Sequence, residues 1–129
     1  MVIDTSALVA ILLDEPERRR FNQAIESSAR RLISAATVLE AAMVLEGRFG
    51  APGGRLLDRF LLRARFESIP VDAEQAGIAR RAFRKYGKGR HRAGLNYGDC
   101  FSYALAKAAG EPLLYKGSDF AQTDVEPAG

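Results

Sequence analysis

An α/β fold with a largely parallel sheet covered on both faces is the architecture this sequence predicts, and three features predict it. Short apolar runs, too brief for helices, recur between longer segments whose apolar residues have helical spacing. These runs carry Val, Ile and Leu with little polar alternation, as strands buried on both faces do. No internal repeat, linker or low-complexity stretch interrupts the alternation over 129 residues, so one domain spanning 1–129 is expected.

Met1 to Asp4 reads as a short buried strand, which leaves Asp4 at its carboxyl end. Ser6 opens the apolar run SALVAILL, long enough for a helix. A second helix is expected from Pro16 to about Ser28, with Pro at the first helical position and Phe21 and Ile25 on one face. Leu32-Ile33 is the second strand, and Ala35 to Arg48, rich in Ala, Leu, Val and Met, has strong helix propensity. Pro52 to Phe66 places Leu56, Phe60 and Arg63 at helical spacing, with Leu57 and Leu61 beside them. Phe66 to Val71 offers a third strand.

Asp72 is suited to capping a helix that carries Ala76, Ile78, Ala79, Ala82 and Phe83 inward. The stretch GKGRHRAG then breaks the periodicity as a loop of about ten residues, long enough to suspect a function. From Tyr97 to Ala109 a helix resumes, with Phe101, Ala104, Leu105 and Ala108 as its stripe and Gly110 as C-cap. Leu113 to Tyr115 is the fourth strand, and the tail from Glu126 to Gly129 is expected to fray. In folds of this class ligands bind beyond the carboxyl ends of the strands, where strand order reverses.

Composition narrows the function. No stretch approaches the ~20 apolar residues of a membrane span, and no basic segment precedes the first apolar run, so a cytoplasmic protein is expected. Cys100 is the single cysteine and His91 the single histidine, which removes an internal disulfide and a zinc site. The net charge is only +3, yet Arg80, Arg81, Arg84, Lys85, Lys88, Arg90 and Arg92 crowd together with no acid between Glu74 and Asp99. Such a run suits phosphate contacts, and a solvated helix face explains it equally well.

Most of the sixteen acids sit near arginines or in polar turns and need no further role. Four stand apart. Asp4 ends an apolar strand, where its charge is desolvated unless the strand opens onto a cleft; capping the next helix is the structural alternative. Glu40 lies in an Ala- and Val-rich helix with Met43 and Val44 at i+3 and i+4, so its carboxylate is expected to share a face with core residues. Asp99 falls in the first turn of a helix, where the dipole and free backbone N–H groups favour an anion, so a capping role alone accounts for it. Asp119 follows the Lys116-Gly117-Ser118 turn after the fourth strand, and equally fits a cap for the turn through Phe120. Brought together, four carboxylates raise one another's pKa unless a cation intervenes, and hard oxygen ligands favour Mg²⁺ or Mn²⁺.

The blocks Val2-Ile3-Asp4-Thr5-Ser6-Ala7, Glu40 in its Ala-rich helix, Leu95-Asn96-Tyr97-Gly98-Asp99-Cys100 and Leu114-Tyr115-Lys116-Gly117-Ser118-Asp119-Phe120 resemble the PIN domain, over residue 1 to about Val125. The nearest likeness is to VapC toxins of bacterial toxin–antitoxin pairs. That resemblance implies a three-layer α/β/α sandwich with a mostly parallel sheet of four to five strands. It also implies a Mg²⁺- or Mn²⁺-dependent endoribonuclease that arrests translation, with Asp4, Glu40, Asp99 and Asp119 as its catalytic and metal-binding residues. A VapB-type antitoxin that blocks the site and a homodimer are implied in the same way.

On this reading Asp4 and Asp99 hold the principal metal, and Glu40 and Asp119 complete its shell. Ser6 is expected to orient a water or a phosphate, with Thr5 a lesser candidate and helix capping an equal explanation for both, and Asn96 to support Asp99 or cap its helix. Lys88, Arg90, His91 and Arg92 are expected to bind the RNA backbone or a base, with Tyr86 and Tyr97 as stacking candidates. Ser118 and Thr123 are secondary contacts. Cys100 lacks a neighbouring base and reads as a small buried residue beside the site. Two rival functions remain at this stage: a receiver-like signalling domain, and a PIN-like fold that binds RNA or protein without cleaving. The first expects adjacent acids after the first strand, and here Thr5-Ser6 follow Asp4.

Overall fold

The computed structural model describes all 129 residues. Its elements run β1 (Val2–Ile3), α1 (Thr5–Leu12), α2 (Arg18–Glu26), β2 (Leu32–Ser34), α3 (Ala35–Phe49), α4 (Ala51–Arg63), β3 (Glu67–Ile69), α5 (Ala73–Tyr86), α6 (Tyr97–Ala109) and β4 (Leu113–Leu114), followed by a short 3₁₀ turn, Phe120–Gln122. The four strands form one sheet in the order β3-β2-β1-β4, parallel throughout.

Alternation along the strands divides the core in two. Ile3, Ile33 and Leu114 face the helices α1 to α4, where Leu8, Phe21, Leu45 and Leu57 are fully buried. Val2, Leu32 and Leu113 face α5 and α6, packing with Leu95, Tyr103, Leu105 and Phe120. Helices on each side of a thin parallel sheet make the three-layer sandwich. Because β1 to β3 step one way across the sheet and β4 returns to the far side of β1, strand order reverses between β1 and β4. Beyond the carboxyl ends of those two strands lie Asp4 and the turn leading to Asp119.

Several boundaries differ from expectation. Pro16 lies in the turn before α2, which begins two residues later with Glu17 as N-cap. Helix α4 stops at Arg63, because Arg65 adopts a left-handed conformation (φ 58°) that turns Phe66 back into the core and shortens β3 at its start. The tail does not fray: the Leu113 N–H donates to the Glu126 carbonyl (2.8 Å) and the Ala128 N–H to the Leu113 carbonyl (2.9 Å), so the tail covers the open edge of β4. An uncovered strand edge is a template for pairing with other chains, and the tail removes it.

A fourth difference bears on Glu40. Helix α3 buries Thr37, Ala41 and Leu45, whereas Leu39, Met43 and Val44 are exposed, at 62%, 67% and 44%. Glu40 therefore does not share a core face with Met43 and Val44. A helix apolar nearly all round has no single stripe from which its buried side can be read.

Candidate active site

Asp4 is the N-cap of α1 and is 3% exposed. Its Oδ2 accepts from the Ser6 N–H (3.0 Å) and the Ser6 hydroxyl (2.7 Å), and its Oδ1 accepts from the buried Ser102 hydroxyl of α6 (2.6 Å). Ser102 Oγ lies 3.3 Å from Thr37 Oγ1 on α3. Three donors thus fix the carboxylate plane and compensate for burying its charge. Ser6 is capped by Asp4 and does not itself cap the helix; its Oγ also accepts from the Lys116 N–H (3.0 Å) and ties the turn after β4 to the end of β1. Lys116 in turn pairs with Glu15 (2.8 Å) and Glu17 (3.3 Å), which anchors the turn that carries Asp119.

Glu40 projects from α3 to the start of α6. Thr5 donates its hydroxyl to Glu40 Oε1, and Gly98 lies so close that a Cβ there would stand 2.0 Å from Glu40 Oε2. The absence of a side chain at position 98 is what admits the carboxylate. Asp99, one residue on, closes a reciprocal cap with Asn96: its N–H donates to Asn96 Oδ1 (2.9 Å) and its Oδ2 accepts from the Asn96 N–H (3.0 Å). Asn96 is accordingly the capping residue and acts on Asp99 by orienting it. Asp119 is exposed at the head of the 3₁₀ turn and its side chain caps nothing.

Burial raises the Asp99 carboxyl to about 6 despite the Asn96 N–H, and the charges of Asp4, Asp119 and Glu40 push the same way. Asp4, Asp119 and Glu40 therefore each lie within electrostatic reach of Asp99. None forms a salt bridge with a lysine or arginine. Four acids share the switch point of the sheet without a basic partner.

The remaining candidates sort by position. Cys100 is buried, and burial followed by the Asp99 charge pushes its thiol up, which suits a packing residue and not a nucleophile. His91 is half-buried: its Nδ1 accepts from the Ala93 N–H (3.0 Å) and its ring meets Tyr86 edge-on at 5.2 Å, so it shapes the basic loop from within. Tyr86 is itself buried, which takes it out of reach for stacking, while Tyr97 is 71% exposed. Lys88, Arg90 and Arg92 are exposed on the loop surface. Thr123 donates to the Phe120 carbonyl and serves the turn, and Ser118 is exposed beside Asp119.

Sequence reading passed over Ser102, Thr37 and Gly98. Ser102 had a visible signal, as a hydroxyl among the buried residues Tyr103, Ala104, Leu105 and Ala106 of α6. Replacing it by Ala strips the donor from Asp4 Oδ1 in a water-excluded site. Ser102→Ala is expected to cost about 1–3 kcal/mol of stability, read as a lower denaturant midpoint at unchanged m-value.

Comparison with known proteins agrees with this geometry. The PIN domain family model matches residues 1–126. Ribonuclease VapC30 of Mycobacterium tuberculosis (strain H37Rv) is 62% identical over 125 residues, covering 97% of this chain and 95% of that protein. Ribonuclease VapC of Mycolicibacterium smegmatis is also 62% identical, covering 97% of each. Among solved structures, Mycobacterium tuberculosis VapC20, a sarcin–ricin loop cleaving toxin, shares the fold with a TM-score of 0.77 at 15% identity, over 96% of this chain and 95% of that one. A toxin–antitoxin complex from Klebsiella pneumoniae aligns with a TM-score of 0.69 at 23% identity, over 95% and 92%. With its acids at the sheet's switch point, and with this likeness over nearly its whole length, the chain belongs to the PIN-domain family, among the VapC ribonucleases.

Proposed function

We propose that the chain is a divalent-metal-dependent endoribonuclease, the toxin of a toxin–antitoxin pair, and that Asp4, Glu40, Asp99 and Asp119 are its catalytic carboxylates. The observation that carries this reading is the gathering of four acids with no basic partner at the carboxyl edge of β1 and β4, together with their repulsion as felt by Asp99. Its relatives are named ribonucleases, and RNA phosphodiester hydrolysis is chemistry such a site suits.

As the side chains stand, no three His, Cys, Asp or Glu groups converge closely enough to hold an ion. Their oxygens are turned instead to Ser6, Ser102, Thr5 and Asn96. The donor set nonetheless fits Mg²⁺ or Mn²⁺: every candidate is a hard carboxylate oxygen, and the repulsion that Asp99 feels from the other three is what a cation offsets. Asp4 and Asp99 would be the principal ligands, with Glu40 and Asp119 completing the shell. When bound, such a cation neutralises the scissile phosphate and lowers the pKa of a water.

The chain's own residues do the positioning. Ser6 and Ser102 hold Asp4 in one orientation, Asn96 holds Asp99, and Thr5 with Gly98 holds Glu40 against the start of α6. Lys88, Arg90 and Arg92 draw the RNA backbone toward a cleft whose acids alone repel it. A cognate VapB-type antitoxin covering the acids, a homodimeric assembly and a cytoplasmic location complete the proposal; no helix is long and apolar enough to cross a membrane. The receiver-like alternative loses support, since Thr5-Ser6 follow Asp4 after β1 in place of a second acid, and β2, β3 and β4 are directly followed by Ala35, Pro70 and Tyr115, none of them an acceptor aspartate.

Metal removal separates cleavage from mere binding. Cellular RNA incubated with the full chain and Mg²⁺ is expected to gain discrete new ends, to remain intact with EDTA, and to be cut again when excess Mn²⁺ is added. Undiminished cleavage in EDTA, or none with either metal, would sink the metal-dependent nuclease reading.

A further inference from the structure

Next to the acids lies an apolar groove that the mechanism leaves unused. Ala76, Ala79 and Phe83 of α5 face Tyr97, Cys100 and Phe101 of α6 across a volume of about 710 Å³. Sites for small organic ligands occupy about 300–1,000 Å³ and are lined mainly by apolar and aromatic groups with a few polar ones. Here the polar groups are Arg80 and Arg84, both exposed at the groove. Tyr97 stands edge-on to Phe101 (centroids 4.8 Å apart, 83° between planes) and is 71% exposed, so much of its phenol remains free.

Two further features link this groove to the cleavage site. Tyr97 and Asp99 both lie in the first turn of α6, about 3 Å apart in rise and projecting to different sides of the helix, so the groove begins at the turn that carries Asp99. From the other side, the basic loop folds onto the groove, placing the Arg90 guanidinium 5.6 Å from the centroid of the Phe83 ring. Aromatic surface and arginines therefore adjoin along α5 and α6, with Asp99 in the turn at which the groove begins.

We propose that the α5–α6 groove is a nucleobase subsite, in which an unpaired base next to the scissile phosphate stacks on Tyr97 while Arg80 and Arg84 contact the flanking phosphates. The inference rests on the ribonuclease reading above and assigns where the substrate strand runs. Charge is what selects this occupant over a second copy of the chain. Arg80, Arg81, Arg84, Lys85, Lys88, Arg90 and Arg92 form no salt bridge, and a two-fold contact through this face sets like charges against each other. A polyanion with flat apolar bases satisfies both the arginines and the aromatic floor.

The test is binding of a fluorescent 12-nucleotide RNA of random sequence to the full chain in EDTA, so that affinity is read without cleavage. Tyr97→Ala is expected to weaken binding by about ten- to a hundredfold, and Tyr97→Phe by less than about twofold. Arg84→Gln is expected to reduce the slope of log affinity against log salt by about 0.7. An oligonucleotide of abasic residues should bind the wild-type chain and Tyr97→Ala equally weakly. Absence of RNA binding by the wild-type chain, or unchanged affinity in Tyr97→Ala, overturns the subsite. So does a shift from dimer to monomer in sedimentation equilibrium for Tyr97→Ala at unchanged RNA affinity, which gives the groove to a second copy. Binding through Tyr97 with no cleavage under any metal leaves the subsite standing and removes the nuclease reading.

Discussion

Asp4→Asn and Asp99→Asn are each expected to lower RNA cleavage by about three orders of magnitude or more, with the fold retained. Each substitution keeps the shape of the side chain and removes a ligand charge. Fold retention at position 4 follows from the hydroxyls around it. The amide oxygen of an asparagine can accept from the Ser6 N–H and Oγ, while its NH₂ donates to Ser102 Oγ, which then turns its own proton to Thr37 Oγ1. At position 99 the amide oxygen still accepts from the Asn96 N–H, so the cap survives. Cleavage of RNA by either purified variant at near wild-type rate, with Mg²⁺ present, would remove these two acids from the mechanism.

Asp99→Asn also carries a stability signature. An acid whose folded pKa is raised, here to about 6 from 3.8, favours the fold while protonated, and that contribution is lost as pH rises from about 4 through 6. Above pH 6 the metal-free chain bears the full cost of a charged Asp99 among three other acids. Two pKa units correspond to about 3 kcal/mol; discounted for the solvent-screened part of Asp99, about 1–2 kcal/mol remains. Without metal, Asp99→Asn should therefore raise the melting temperature at pH 8 and change it little at pH 4. An equal shift at both pH values would disconnect the effect from charge.

The sequence makes the layers of this fold legible because its strands and helices differ so plainly in period and length. Phe21 and Ile25, spaced at i and i+4, do face the core from α2, and the Asn96 and Asp72 caps stand where their helices begin. Where local signals compete, the sequence does not determine the outcome. Pro16 suits a helix start but lies in a turn, and α3 is too uniformly apolar to reveal that Met43 points outward.

At the candidate active site, Asp4, Asp99 and Asp119 can be picked out, since a carboxylate at a strand end or a helix start demands an explanation. The groups that position them cannot. Ser102 meets Asp4 across 98 residues, Thr5 meets Glu40 across 35, and Thr37 meets Ser102 across 65, and no local pattern encodes such contacts. The aromatic groove escapes notice for the same reason: Phe83 and Tyr97 read as separate helix residues until α5 and α6 pack together.

Gly98→Ala is expected to cost about two orders of magnitude in cleavage rate while leaving the fold as stable or more so, a combination that few substitutions produce. Position 98 is the second residue of α6, where Ala is favoured over Gly by up to about 1 kcal/mol. The backbone there needs no left-handed conformation, so the glycine is not retained for its φ. What the methyl meets is Glu40, with Oε2 at 2.0 Å, Cδ at 2.6 Å and Oε1 at 2.8 Å, all inside van der Waals contact. These atoms belong to the end of a flexible side chain, so the clash is relieved by rotating Glu40 away and not by unfolding α6. Rotation breaks the Thr5 contact and withdraws one of the four carboxylates. If that is the cause, Glu40→Gln and Gly98→Ala remove the same interaction, and the double variant should cleave no more slowly than the slower single one. Glu40→Asp, one methylene shorter, should recover part of the activity in the Gly98→Ala background. Full cleavage by Gly98→Ala alone, at an undiminished melting temperature, would show that Glu40 need not stand against α6 for the chemistry to proceed.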